Sequence, residues 1–451
     1  MPLTDDDLKQ NRTDSRETPA SGAGSRADRQ QAVKPWVLRL VVAGLVLSAL
    51  NLRPAISGLG PLLKEVQNGL GMSGTVAGLL TSVPPLCFAV FGGLAPRLAR
   101  RFGPAAVVLS GMLAITAGLA IRPFTGGTAT FLAATALALA GIAVSNVLMP
   151  VVVKHWFPEK VGTMTGLYSM SLSLGTSLAA AVTVPMTEAL GGSWQLGIGA
   201  WAVLGIVAAA PWAGVVRDRS ARPEPRAAEE AVPEETEAAE RVEEARTAGQ
   251  PQAAAQDAPL RIAKSPTAWA LAVFFGLQAS TAYIIMGWFP QILRDAGVSA
   301  SAAGVMLALT MGMGIPLSFV LPKVAARMRH QGPLVVLLAV SGLLAYVGLW
   351  LAPAAGAWVW ALILGISNCA FPLALTMIGL RARSGPGVAK LSAFAQSTGY
   401  LISIPGPLLV GALHDASGGW HASLVLMGGL LLAQIVAGVL AGRDRVIEDG
   451  R

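Results

Sequence analysis

Along this chain apolar residues gather in long runs, with neither the alternation of a strand nor a single apolar stripe of a surface helix. Runs of about 20 such residues, enough for a helix to cross a hydrocarbon layer roughly 30 Å thick, fall at 37–62, 74–95, 105–122, 128–152, 161–187 and 194–214. A second set falls at 267–290, 300–321, 333–352, 357–379, 391–413 and 420–441. The pattern predicts an all-α membrane protein of twelve transmembrane helices in two sets of six. Between the sets, residues 217–264 carry EPRAAEEAVPEETEAAERVEEARTAGQPQAAAQ, which is charged, Ala-rich and broken by Pro, and reads as a solvent-exposed linker. Residues 1–35 are polar and rich in Ser, Arg and Asp, and read as a disordered arm. No short apolar region with a small-residue cleavage site follows a basic start, so no cleaved signal peptide is expected. The expected organisation is the arm 1–35, a bundle 36–216, the linker 217–264, a bundle 265–442 and a tail 443–451.

The two sets resemble each other. LAPRLARRFGPAAVVL (94–109) follows the second run and LPKVAARMRHQGPLVVLL (321–338) follows the eighth. SNVLMP (145–150) lies in the fourth run and SNCAFP (367–372) in the tenth. The matches keep one order at offsets of 222 to 229 residues, which points to a duplicated six-helix unit. Parallel six-helix repeats related by an axis along the membrane normal are the architecture of the major facilitator superfamily, whose halves rock about a central cavity.

Composition sharpens this picture. Only 13% of residues are charged and 53% are hydrophobic, against about 25% charged in soluble domains. The net charge of +8 is scattered between apolar runs and forms no nucleic-acid patch. Seventeen Lys and Arg, among them Lys34, Lys154, Lys323 and Arg443, fall on one side of the alternating connections; only Lys64, Arg122 and Arg294 fall on the other. By the positive-inside tendency, both termini and the linker are expected in the cytoplasm. Cys87 and Cys369 both lie in apolar runs, so no disulfide framework is implied.

The candidate chemistry starts at Arg53, inside VVAGLVLSALNLRPAISGLGPLL (41–63). It lies 14 residues past Arg39, roughly 20 Å at 1.5 Å per residue, too deep to reach the interface. A charge at that depth costs at least ~2.5–3.5 kcal/mol and should face a wet cavity, a partner or a solute. No Asp or Glu lies near the middle of any run; Glu188 and Asp415 sit at run ends and read as wet helix-end carboxylates. An anionic or strongly polar solute can supply the counter-ion, since a guanidinium offers a planar fork of donors. A strut holding helices together is the alternative. Pro54 should kink the first helix beside Arg53. Asn51, Asn146, Tyr168, Gln278, Tyr283, Asn368 and Gln396 are the further candidates for solute contact, and Ser171 and Tyr400 are also polar. Trp288, near a run's end, reads as an interfacial belt residue. Arg97, Arg100 and Arg101, in a short basic loop, are candidate gate residues as well as topology anchors. No HExxH, P-loop or dinucleotide fingerprint and no Cys/His cluster is present, so neither an enzyme nor a metal or organic cofactor is expected.

LNLRPAISGLGPLL, NVLMPVVVKHWFPEKVGTMTGLYSMSLSLG, FPLALTMIGLRAR and AQSTGYLISIPGPLLVGALHDASGGW resemble the cyanate/nitroimidazole (CynX/NimT) transporters, a branch of the major facilitator superfamily. The resemblance runs over nearly all twelve runs and omits the arm and the linker. It implies a secondary transporter of the bacterial inner (plasma) membrane that moves a small polar or anionic solute. Alternating access is the expected mechanism, and a monomer the expected state. In the wider superfamily the loop after the second helix carries an Asp; here Gly93 and Gly103 match, but the Asp position reads Pro96-Arg97. Energy coupling is expected to be uniport, exchange, or a proton carried on the solute, because intramembrane relays use carboxylates. A multidrug-type exporter of organic compounds is the alternative function.

Overall fold

The computed structural model describes residues 34–218 and 262–450. Nearly all of the expected arm and of the linker lies outside the described residues; of the arm, Lys34 and Pro35 are described, and Pro35 already opens the first helix. Among the described residues every regular element is helical. The membrane-crossing units are α1 (Pro35–Leu70), α2 (Gly74–Phe102), α3 (Pro104–Ile121), α4 (Thr128–Trp156), α5 (Val161–Ala189) and α6 (Trp194–Arg217). The second half has α7 (Pro266–Asp295), α8 (Ala300–Gly312 and Gly314–Arg327), α9 (Gly332–Leu351), α10 (Ala357–Leu380), α11 (Gly385–Ser403 and Pro405–Ser417) and α12 (His421–Ala441). Among the described residues, eleven helices are long and apolar enough to cross a membrane. The unit missing from that number is α11, interrupted before Pro405 and diluted by Gly, Ser and His.

Within each half the third and fourth helices pack closely, as do the third and sixth. The duplication is visible at one contact. A Cβ on Gly111 of α3 would lie 2.2 Å from Ser145 Oγ of α4, and one on Gly342 of α9 would lie 2.5 Å from Ser367 Oγ of α10. Both repeats therefore bring helices together by setting a Gly against the Ser that precedes the Asn found in each half, Asn146 or Asn368. The halves meet along two symmetric seams, α2 with α11 and α5 with α8.

Alternate crossing puts the first residues of α1 and the last of α12 on one face, called here the terminal face; Lys34 pairs there with Asp218 at 3.5 Å. The opposite, distal face is where α1 turns into α2 and α7 into α8. The basic stretch at 97–101 is not a loop. Helix α2 runs through Pro96 to Phe102, and Gly103 (φ 83°) turns the chain directly into α3, which starts at Pro104. Arg97, Arg100 and Arg101 thus ride on the last two turns of α2, exposed, with Arg101 lying over the Phe102 ring at 5.2 Å.

Candidate functional site: a central cavity around Arg53

Helix α1 breaks where Pro54 predicts. Its first piece ends at Asn51, and Arg53 caps the next, Pro54–Ser57. Pro54 has no N–H to donate into the preceding turn. The break turns the Arg53 side chain into a cavity of about 440 Å³ between the halves. Asn146 of α4, Gln278 and Tyr283 of α7 and Asn368 of α10 share its wall. So does Tyr400 of α11, whose ring stacks on Phe88 at 5.2 Å and meets Phe275 edge-on at 5.2 Å.

Other candidates stand elsewhere. Asn51 is fully buried and donates to Met112 Sδ of α3 at 3.7 Å, facing away from the cavity. The helix break lies between it and Arg53. Tyr168 stands behind the wall and donates to Asn146 Oδ1, so it orients a lining amide. Gln396 turns back along its own helix, Nε2 to Ser392 Oγ at 2.7 Å, outside the lining. Trp288 is no belt residue; it is 1% exposed and donates to Pro407 O across α11 at 3.2 Å. The sequence reading missed Ser169, Ser173 and Thr176, which with Leu172 form the α5 wall. Their spacing of three to four residues was the available signal; Tyr168 and Ser171 lie one step off that face.

Arg53 has no hydrogen-bonded or ion-paired side-chain partner among the described residues. Every described Asp and Glu lies within the last two turns of a helix or beyond its end. The chain has four tyrosines; Tyr283 and Tyr400 line the cavity with Arg53, and Tyr168 backs it through Asn146. Gln278, 4% exposed, leaves its Oε1 without a hydrogen-bond partner among the described residues. The site is a lone cation ringed by phenol and amide groups, with apolar walls from Leu172, Met286, Phe371 and Leu375.

The cavity extends along α8 to Pro322 and along α10 to Thr376, close to their ends on the terminal face. On the distal side it stops at Met286, and Gly287–Leu293 of α7 are all buried. That plug is reinforced by contacts between the halves. Arg294 makes a two-pronged pair with Glu65 at 2.8 and 2.6 Å and also donates to Pro61 O at 2.9 Å. Lys64 pairs with Asp295 at 2.8 Å, and Trp420 Nε1 donates to the same carboxylate at 3.0 Å. The three distal cations of the sequence are therefore not free topological charges: two hold this seam, and Arg122 is fully buried.

Asp415 is a correction of the same kind. It is exposed, but it reaches from α11 to the start of α2, accepting from Gly74 N at 2.9 Å, Thr75 N at 2.7 Å and Thr75 Oγ1 at 3.2 Å. One half thus caps a helix of the other. A cap of this type is worth about 0.5–2 kcal/mol. Asp415→Asn should loosen the distal closure, read as faster thiol labelling of Thr81→Cys from the distal side. Glu188→Gln, at an exposed position with no side-chain hydrogen bond or ion pair among the described residues, should leave that rate unchanged; equal effects of the two would remove the cap from the gate.

The family model for the Major Facilitator Superfamily matches residues 45–384. A Bacillus subtilis (strain 168) protein named as the uncharacterized transporter YycB is 35% identical, over 90% of this chain and 94% of that protein. The 2-nitroimidazole transporter of Escherichia coli (strain K12) is 33% identical, over 91% and 97%. The cyanate transport protein CynX of the same strain is 30% identical, over 83% and 90%. The crystal structure of a bacterial homologue of the human lysosomal transporter Spinster superposes with a TM-score of 0.65 at 16% identity, covering 90% of this chain and 96% of that one, which shows a shared fold. The family model over residues 45–384 and these relatives, each at least 30% identical over most of their length, agree with the two six-helix halves: the chain belongs to the major facilitator superfamily, in its CynX/NimT branch, and is a multi-pass membrane transporter.

Proposed function

We propose that this transporter carries a small anionic or strongly polar solute through the central cavity by alternating access, with Arg53 as its principal contact. One observation carries the reading: the Arg53 guanidinium faces the cavity with no acceptor among the described residues. A cation at that depth is costly unless something compensates it, and a bound anion does so only while it is bound. Asn146, Gln278 and Asn368 supply neutral donors and acceptors, and the phenols of Tyr283 and Tyr400 can donate to the same anion. The names of two relatives fit this chemistry, one a cyanate carrier and the other a carrier of a polar nitro-heterocycle.

In this reading the terminal face, with its excess of Lys and Arg, is cytoplasmic, and the form described is open to the cytoplasm and sealed outside. The protein works as a monomer in the inner membrane. Since no carboxylate stands at depth among the described residues, transport is uniport, exchange, or coupled to a proton on the solute. Arg97, Arg100 and Arg101 stand at the open face, where the halves must meet when the carrier turns outward.

The test is thermal stabilisation of purified wild type and Arg53→Ala by cyanate, nitrate, short carboxylates and 2-nitroimidazole. A ligand at 100 times its Kd stabilises by about 2.7 kcal/mol through mass action. At least one of the anions or 2-nitroimidazole is expected to raise the wild-type melting temperature and leave Arg53→Ala unmoved. Equal stabilisation of both forms by bulky apolar compounds, with none by these probes, would overturn the reading in favour of an exporter of organic compounds.

A further inference from the structure

Arg122 is the second cation inside this protein, and the transport reading does not use it. It lies in the 3-10 turn Arg122–Phe124 at the end of α3 and is 0% exposed. Its Nε donates to Thr135 Oγ1 of α4 at 3.0 Å, and its guanidinium sits over the Phe131 ring at 5.5 Å. Its Nη1 donates to Ala55 O of α1 at 3.2 Å. Its Nη2 has no partner, and no acidic side chain pairs with it among the described residues.

The acceptor in α1 is the informative partner. In an unbroken helix the Ala55 carbonyl would accept from the N–H of Leu59, four residues on. Here Leu59 N donates to Ile56 O at 3.2 Å, as the chain tightens toward the 3-10 turn Gly60–Leu62. That shift leaves the Ala55 carbonyl without its helical donor, and a buried carbonyl must be satisfied. Arg122 fills the place. Ala55 is two residues from Arg53, in the short piece Pro54–Ser57 that Arg53 caps. A strut joining only α3 to α4 would need Thr135 alone. A topological cation would be exposed.

We propose that Arg122 is a positioning residue: it holds the broken turn of α1 open and so keeps Arg53 turned into the cavity. Without it, the Ala55 carbonyl regains its donor by letting Leu59 return to helical bonding. The chain after Arg53 then rewinds, and Arg53 rotates with it. A cation suits this post because one planar fork reaches α1 and α4 at once, which a lysine ammonium does less well.

The proposal rests on Arg53 facing a wet cavity, and the test separates the two. Purified protein carrying Cys87→Ala and Cys369→Ala receives Arg53→Cys, or Ser173→Cys on the α5 wall as a control. Each thiol is labelled with a charged methanethiosulfonate, with and without Arg122→Gln. The expected result is labelling at position 53 slowed roughly tenfold or more by Arg122→Gln, unchanged labelling at position 173, and partial recovery with Arg122→Lys. If Arg122→Gln yields no folded protein, Thr135→Val, which removes one anchor, carries the same comparison. Unchanged labelling at 53, or equal slowing at both positions, overturns the positioning role. A thiol at 53 that resists labelling even with Arg122 intact overturns the cavity reading and the positioning role with it.

Discussion

Arg53→Ala is expected to reduce uptake of the anionic solute to background while the protein still inserts and purifies as a single species. Truncating one partner of a buried, hydrogen-bonded charge pair costs about 2–5 kcal/mol, which is roughly 30- to several-thousand-fold in affinity. Arg53→Lys keeps the charge but loses the planar fork, so its KM should rise while turnover at saturation persists. Arg53→Gln keeps hydrogen-bonding capacity without charge and should fail nearly as badly as Ala. The sign of the stability change separates a solute contact from a strut. A strut stabilises the ligand-free protein, so removing it lowers the melting temperature. A cation without an acceptor destabilises the ligand-free protein, so its removal should leave the melting temperature unchanged or raise it. Functional sites commonly carry such a stability cost. Arg53→Ala protein that transports normally, or that melts well below wild type and is rescued by Gln, would mark Arg53 as structural.

The residues of the cavity were legible in the sequence to different degrees, for physical reasons. Length and apolarity mark membrane helices well, because an unsatisfied backbone group in lipid is so costly that spans must be helical and long. The duplication followed from short motifs, and the structure repeats it in the Gly111–Ser145 and Gly342–Ser367 contacts. Arg53 stood out because a charge is rare at depth. Helix faces were harder to read. In a membrane helix both the lipid side and the packed side are apolar, so no stripe tells which way a polar residue points. Asn51 therefore looked as good as Asn146, although one faces α3 and the other the cavity. On α5 the choice of Tyr168 and Ser171 missed the Ser169–Ser173–Thr176 face by about 100° of rotation. Arg122 was hidden differently: it falls at the end of an apolar run, where cations are usually wet, and only the three-dimensional path of α1 shows why it is buried. Asp415 and Asp295 likewise show their work only once the halves are placed against each other, since each partner lies hundreds of residues away in the chain.

Gly411→Leu is expected to arrest the carrier with its distal face open. Helices α2 and α11 touch there backbone to backbone: a Cβ on Gly411 would lie 2.1 Å from Gly74 O and 2.8 Å from the Trp288 ring. Gly78, one turn along α2, is equally close to Pro407 and Leu408 of α11. A backbone oxygen on one side and a fully buried indole on the other leave a leucine no rotamer that avoids contact. Relief requires the two helix ends to separate, which is also the motion that opens the distal face. Overpacking costs about 1–3 kcal/mol, and here the cost falls on the closed form alone. A shift of that size moves the equilibrium about 5- to 150-fold toward the distal-open form, enough to invert a two-state balance set by a few kcal/mol. Two thiol reporters read the shift in opposite directions. Thr81→Cys, 8% exposed at the distal plug in the native residue, should label faster from the distal side. Ser173→Cys, on the wall that reaches toward the terminal face, should label more slowly from that face. Solute exchange should fall to background, because the cycle needs both forms. Faster labelling at both positions would mean general loosening, and no change at either would mean that the α2–α11 contact is not the distal gate.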